Sequence, residues 1–564
     1  MNESPKWFGG CAPGGQAVVP VGAVLVWTDF LLWTVGGDAG HLRTVEQHGA
    51  RLAVLGPCNA SDHDMFRALA SDDLAAAVRL WAGAFTVVRI QGPGSVEILT
   101  DASGAAPIYR VSAPGGVVWG SSARALSSLS TGSIDMDWLA AYLRERNAPA
   151  AGRSAWAGVC PVPAGSVMTL GTGGRSSVAD WWSAVRRPPG EVVPAIRWAL
   201  SEGVRVRVEG VTTTSDLAGM DSTTVALLAA RHGQVAGMTL HPAGTEDGGD
   251  MQYARALNVP NLWRTTFPLG VRHLPFTRGR TVLPATDEPA PSTPVWAMFA
   301  EQLKAIADAG SGCHLTGDGG DNLFMAPPAH LADLARRGRL LRVVTDALDW
   351  ARLRKQNPRP LIAAALRRDA GRINRAERPR PAWLTVDVPD PVYGGVAGGD
   401  ADAVLVASIR DIARSAHSEV QLADALGVAL HNPYFDGAVL DAVVSAPPER
   451  RFSAHRYKPL LADSFADVLP PTHRERASKG LFVGDYHQGA RVNLPRLLAL
   501  ADGRLSALGL IDPTPLRAAM HAAALGAPTI WPPLLSAVAA ESWLEAVETT
   551  ARTEWAAPTG SGAL

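Results

Sequence analysis

Near residue 185 the sequence changes texture, and no single fold accommodates both halves. Before that point, short β-prone runs (AVVPVGAVLVW, RLAVL, FTVVRI, SVEILT and GVVWG) are cut by Gly, Pro and Asp, and the pattern predicts helices over 73–80 and 136–145 between them. Short strands closed by turn residues imply antiparallel sheets, and with the helices an α+β domain. The segment VRRPPGE at 185–191 reads as a linker. Beyond it, helical stretches alternate with single buried strands, expected at 211–214, 235–241, 262–267 and 313–316. That alternation predicts an α/β, doubly wound parallel sheet. A chain of 564 residues exceeds what one core ordinarily serves, so we expect two domains, 1–188 and 189–564.

Composition narrows the class without naming a substrate. Hydrophobic residues make up 47% and charged residues 19%, as in globular proteins, and the formal net charge of −1 gives no global reason to expect nucleic acid or an anionic membrane as partner. The four cysteines (Cys11, Cys58, Cys160, Cys313) lack CxxC spacing, so buried reduced thiols are expected in place of a zinc site or a disulfide framework. The most apolar window, 17–35, is broken by Pro20, Gly22 and Asp29, which suits buried strands better than a membrane span. No signal-peptide pattern opens the chain, and a cytoplasmic protein is expected.

Two loops carry the chemistry. In SDLAGMDSTTVALLAA (215–230) a β-prone run enters a small-residue loop, and Asp221-Ser222 opens an amphipathic helix. Unpaired N–H groups and the dipole of a helix N-terminus hold phosphate. Gly219 permits close backbone approach, and the hydroxyls of Ser222 and Thr223 can donate to phosphate oxygens. Asp221 would hold the magnesium that bridges phosphates. An ordinary capped helix behind a glycine turn would read the same. In HLTGDGGDNLF (314–324) a strand runs into a turn containing Gly317, Gly319 and Gly320, with Asp318 and Asp321 as paired carboxylates suited to a second magnesium contact or to proton handling. Both loops leave the carboxyl ends of strands, where ligands bind in doubly wound sheets, so together they predict one ATP–Mg2+ site.

The pair resembles the pyrophosphatase loop and second acidic loop of the asparagine synthetase and β-lactam synthetase superfamily, whose first loop reads Ser-Gly-Gly-x-Asp-Ser. The resemblance makes Asp221 and Asp321 the magnesium-binding aspartates. HNPYFDGAVLDAV (431–443) is similar to the family's Pro-Phe-x-Asp element, with Asp436 at the acid. RYKPLLADSF (456–465) resembles the helix after it, and RASKGLF (476–482) the segment that supplies the catalytic lysine, here Lys479. A fixed ammonium there would stabilise charge on the departing pyrophosphate and on the amide-forming oxyanion. Leu217 and Ala218 stand where the family has Ser and Gly; Ser215 or Thr214 could replace the lost hydroxyl donor if the loop is one residue shorter. His431 sits where the family often has Arg, and receives no role. The resemblance implies an adenine nucleotide α-hydrolase-like (ATP-pyrophosphatase) synthetase domain.

WAGAFTVV (81–88), TDASGAAPIYR (100–110), VVWGSSARAL (117–126) and WAGVCPVPAGSV (156–167) are similar to the family's glutamine amidotransferase domain, which implies an Ntn-hydrolase-like fold. That glutaminase needs an N-terminal cysteine, whereas this sequence opens Met1-Asn2, with Cys11 the first thiol. A relic domain is therefore expected, with the amine coming from the substrate itself.

Among family branches that work this way, the Asp-Leu before the altered loop, HLTGDGGD, TDEPAPS (286–292) and YKPLL look most like lasso peptide cyclases, the macrolactam synthetases. The β-lactam branch carries, at the place of Asp318, a tyrosine that pairs with a glutamate to deprotonate the amine. The resemblance implies a ribosomal precursor (core) peptide as substrate, ATP and Mg2+ as cofactors, and a leader-binding protein and a leader peptidase as partners. Lys479 and Asp318 are the catalytic candidates; Ser215, Ala218, Gly219, Asp221, Ser222, Gly317, Gly319 and Gly320 are the nucleotide-binding ones. Asp250 and Asp287-Glu288 are expected either at the same cleft or as helix caps, and Asp436 as a structural acid. From Arg336 to Arg380, 14 Lys/Arg face 4 Asp/Glu, either as solvated helix faces or as a docking surface for an acidic partner. A small-molecule β-lactam or asparagine synthetase, and a pseudoenzyme that only binds peptide, are the competing readings.

Overall fold

The computed structural model describes residues 6–557 except 16, 30, 37–40, 93, 148–149, 245–248, 326–327, 376–379, 390–398 and 476–482. The β-prone runs of the first half form two six-stranded antiparallel sheets. In one, the order is Val159–Val162, Ile108–Ala113, Gly116–Gly120, Trp7–Cys11, Leu32–Val35 and Val24–Trp27; in the other it is Ser176–Asp180, Ser166–Gly171, Ser95–Leu99, Thr86–Gly92, Ala50–Leu55 and Leu42–Gln47. Period-2 alternation gives each sheet an apolar face, and the two faces close on Leu32, Trp119, Val88, Ile98 and Met168. The opposite face of the second sheet packs on helices Asp62–Ala70 and Leu74–Val78. That of the first takes Ala123–Ser127 and Met136–Arg144, together with the late helices Pro513–Ala524 and Trp531–Thr549. This α–β–β–α layering bears out the α+β architecture read from the first half.

The proline pair of the expected linker is partly helix. Pro188 caps and Pro189 opens the helix Pro189–Val208, where a missing N–H costs nothing. The five strands that follow are all parallel, in the order Leu262–Leu269, Val235–Pro242, Thr213–Asp216, Cys313–Leu315 and Leu430–His431. Strand order reverses between Thr213–Asp216 and Cys313–Leu315, so the crevice at this switch point opens at the carboxyl ends of the two strands whose loops carry the acidic motifs. Among the described residues, no helix is long and apolar enough to cross a membrane.

Asp436 lies at the seam of this fold. Its carboxylate takes both ends of the Arg207 guanidinium, at 2.8 and 2.5 Å, with both side chains almost fully buried. Burial pushes the Asp436 carboxyl up, and Arg207 opposes that shift. Removing one member of such a pair strands the other, so we expect Asp436→Ala to cost about 3–5 kcal/mol in denaturant unfolding, with part of the loss recovered in the double variant Arg207→Met/Asp436→Asn. Wild-type stability in Asp436→Ala would contradict this account.

Candidate active site

The first loop is anchored by the residue that departs from the family pattern. Leu217 is fully buried, its N–H donates to the Met238 carbonyl at 2.8 Å, and its own carbonyl accepts from the Thr239 hydroxyl. It therefore extends the pairing of Thr213–Asp216 with its neighbour strand and fills the space beside Gly237. The chain leaves the sheet only at Ala218. Gly219 caps the helix Met220–Ala229, whose first-turn amides have no partner within the helix. Ser222 holds the loop closed: its hydroxyl accepts from the Ala218 N–H at 3.1 Å.

The second loop packs directly on the first, and glycine makes this possible. A Cβ on Gly317 would lie 2.7 Å from the Ser222 nitrogen, and one on Gly320 would lie 2.4 Å from Cγ of Asp221. Gly319, at φ +92°, lies against the Phe435 ring. These glycines set the distance between the loops, so Gly320→Ala should displace Asp221 and lower ATP–pyrophosphate exchange about 100-fold. Exchange at the wild-type rate would show that the contact does not position Asp221.

Ala218, Gly219, Asp221, Ser222, Gly317 and Asp318 share the walls of one cleft of about 240 Å3, with Asp250 and Tyr457 also on its wall and Met238 and Leu240 as an apolar side. Ser215 stands apart from it. It is fully buried in its strand and its hydroxyl donates to the Asp216 carbonyl, which corrects the expectation that it replaces the lost loop serine. Gly319 and Gly320 serve as packing positions behind the cleft. Lys479, in 476–482, lies outside the described residues.

A lysine that sequence reasoning passed over joins the two acidic loops. Lys458 is buried, and its ammonium pairs with Asp221 and, at 2.6 Å, with Asp321. Burial penalises that ammonium, but the fields of Asp221 and Asp321 outweigh the penalty and hold its pKa above the ordinary value. Its backbone is left-handed at φ +42°, a conformation that costs a non-glycine residue about 1 kcal/mol and persists where surrounding structure enforces it. The YKPLL resemblance marked its segment, yet only the fold brings it to loops more than a hundred residues away in sequence.

The 431–443 element supports both loops from behind. Tyr434 donates from its hydroxyl to the Asp221 carbonyl at 3.1 Å, and Asn432 accepts from Thr316 at 2.6 Å. Thr316 in turn receives the Asp318 N–H.

Two oxygen-bearing carboxylates around one point of positive charge suit a hard cation. Magnesium is held by one or two protein carboxylates, with phosphates and water completing its shell, and Asp221 with Asp321 supply that number.

Glu419 is the second group missed. It lies near the carboxyl end of the long helix Ala401–Asp424, and burial followed by the charge of Asp318 pushes its carboxyl up to about 7, against hydrogen bonds with Ser292 and the field of Arg146. Glu419 is not on the cleft wall, and the charge of Asp318 is what links it to the site. The signal was present in the β-lactam branch's tyrosine–glutamate pair: Asp318 replaces the tyrosine, but a glutamate still stands within its electrostatic reach.

Asp287-Glu288 do not line the cleft. Asp287 accepts from Ser122, the Arg124 N–H and Gln421, each at 2.8 Å, and Glu288 pairs with Arg414, so the segment ties the synthetase half to the N-terminal domain. In that domain Cys11 is buried in its strand. Burial pushes its thiol up to about 11, and Sγ donates to the Val18 carbonyl at 3.3 Å, an environment that keeps it a thiol.

The chain belongs to the asparagine synthase family, whose model matches residues 195–545. A similar curated protein is the carboxyethyl-arginine β-lactam synthase of Streptomyces clavuligerus, 33% identical over 213 residues, which span 36% of this chain and 38% of that protein. The chain therefore matches well under half the length of that relative. Solved structures aligned with it include the glutamine phosphoribosylpyrophosphate amidotransferase of B. subtilis with ADP and GMP, at 11% identity and a TM-score of 0.21, covering 56% of this chain and 76% of that one. An allosteric regulatory enzyme of purine biosynthesis aligns at the same identity and TM-score, covering 75% of its own chain. At that TM-score neither likeness carries an argument.

Proposed function

We propose that this protein is an ATP-dependent, AMP-forming amide synthetase, and specifically a lasso peptide cyclase. The observation that carries the synthetase reading is the convergence of Asp221 and Asp321 on Lys458, beside a cleft at the switch point of a parallel sheet. ATP would lie with its phosphates over Ala218–Ser222 and its base against Met238 and Leu240. Asp221 and Asp321 would hold magnesium, which supplies charge neutralisation for the leaving pyrophosphate. An Asp or Glu side-chain carboxylate of the core peptide attacks the α-phosphorus, and pyrophosphate departs. The peptide's N-terminal amine then attacks the acyl-adenylate; Glu419 takes the amine proton, AMP leaves, and an isopeptide bond closes the ring. Lys479 keeps, by family resemblance, the role of stabilising the charged states.

The lasso assignment is supported by the sequence details around the loops and by a buried Cys11 unsuited to release ammonia from glutamine. The relative's β-lactam chemistry is the second reading, favoured by the 33% match. A leader-binding protein and a leader peptidase are the proposed partners. The helices His330–Arg336, Leu340–Arg354, Pro358–Leu366 and Ala370–Arg375 are a candidate contact. Arg336, Arg342, Arg352 and Arg372 there already pair with acids three or four residues away, which leaves fewer charges for a partner.

Mass spectrometry of a candidate core peptide incubated with this protein, its peptidase partners and ATP–Mg2+ tests the proposal. Loss of one water that vanishes in Asp221→Ala and Lys479→Ala is the expected result. An unchanged peptide, with pyrophosphate still released on free amino-acid analogues, would replace this reading with a small-molecule amide or β-lactam synthetase. No pyrophosphate from any substrate would make it a peptide-binding pseudoenzyme.

A further inference from the structure

A second cleft, of about 490 Å3, lies between the 276–283 loop and the late helices Leu494–Ala501 and Trp531–Thr549. None of the proposed nucleotide-site residues lines it. Its interior has two characters. Buried Trp296 and Val538, with half-buried Leu283 and Leu500, form an apolar floor, and Val282 stands 73% exposed at its edge. Around that floor come Arg278, Arg280 and Arg496, with Glu545 as the lone acid on the wall.

The arginines are unevenly satisfied. Arg272, a few residues earlier, is taken up by Glu301 at 3.2 Å. Arg496 donates one N–H to the Phe276 carbonyl at 2.9 Å, which fixes its guanidinium against the loop. Burial, and then the like charge of Arg278, hold the Arg496 guanidinium below its ordinary pKa, while Glu545 opposes the shift. Two exposed cations therefore flank a half-buried third whose charge is only partly compensated.

A bare phosphate would leave the apolar floor unused. A peptide with carboxylates alternating with apolar side chains satisfies both the arginines and the floor. We propose that this cleft binds an acidic peptide segment, with carboxylates on Arg278, Arg280 and Arg496 and apolar side chains over Trp296, Leu283 and Val538. The binding does not depend on the adenylation reading, since no residue of the nucleotide cleft takes part. For a peptide-modifying enzyme it would act as a second anchor that selects acidic sequence outside the reacting residues.

The test is fluorescence anisotropy of the full-length protein with a fluorescein-labelled Glu-Leu-Glu-Phe-Glu peptide and with its counterpart carrying Gln for each Glu. The Glu peptide should bind about ten-fold tighter than the Gln peptide, and R278E/R280E should remove about that difference, while R278K/R280K retains most of it. Raising salt should weaken the Glu peptide selectively. ATP–Mg2+ should leave the bound peptide in place. Equal binding of the two peptides, wild-type affinity in R278E/R280E with an unchanged thermal midpoint, or displacement of the peptide by ATP–Mg2+ would each overturn the proposal.

Discussion

Asp221→Asn is expected to lower pyrophosphate release by about 1,000-fold. The substitution removes charge at the point where the two loops and Lys458 meet, so it would weaken the proposed magnesium site while leaving the ammonium with Asp321. Folding should survive. Tyr434 holds the backbone carbonyl of residue 221, not its side chain, and Asn is close to Asp in volume. The linkage sign is clear for Lys458. Its pKa is raised in the folded state, so while Asp221 and Asp321 are ionised its pairing contributes stability below the ordinary ammonium range and loses that contribution as pH climbs through the raised value. A pH-dependent melting transition near neutrality in the wild type therefore would not come from this cluster. Pyrophosphate release by Asp221→Asn within a few-fold of wild type would remove the basis for the nucleotide site.

Glu419→Gln should separate the two half-reactions. Adenylation needs no base at the amine, so ATP–pyrophosphate exchange continues, whereas amide formation falls by about 100- to 10,000-fold, the range for loss of a general base. With its carboxyl pushed up to about 7, Glu419 in the proposed role of base would be protonated below that pH and able to accept a proton above it. The rate of ring closure should thus rise with pH through about 7 and level off, and the rise should vanish in Glu419→Gln. Because the charge of Asp318 is part of what raises the Glu419 carboxyl, Asp318→Asn should move the rise toward acid. A profile unchanged in both variants would leave Glu419 without a part in proton transfer.

The elements were more legible than the distances between them. The strands expected at 235–241 and 262–267 are observed as Val235–Pro242 and Leu262–Leu269; the first is largely buried, whereas the second closes the sheet edge with its residues half-buried or exposed, so a buried strand was the wrong expectation there. The acidic loops were legible because glycine and aspartate at that density have few purposes at a strand's carboxyl end. Lys458 and Glu419 were not, since a lysine beside a proline and a glutamate on a long helix look ordinary until the chain brings Asp221, Asp321 and Asp318 to them. Leu217 misled in the other direction. It reads as the loss of a phosphate donor, but its side chain belongs to the core and its backbone to the sheet. Asp287-Glu288 likewise resemble site acids and serve instead as the joint between the two halves.

The central claim is that a substrate carboxylate is activated on AMP before an amide forms. Its most direct test is to supply core peptide with heavy oxygen in the acceptor carboxylate, together with the peptidase partners and ATP–Mg2+, and to weigh both products. The account predicts one heavy oxygen in AMP and a peptide lighter by one labelled water. Heavy oxygen in inorganic phosphate with ADP as co-product, or ring closure with unlabelled AMP, would contradict it.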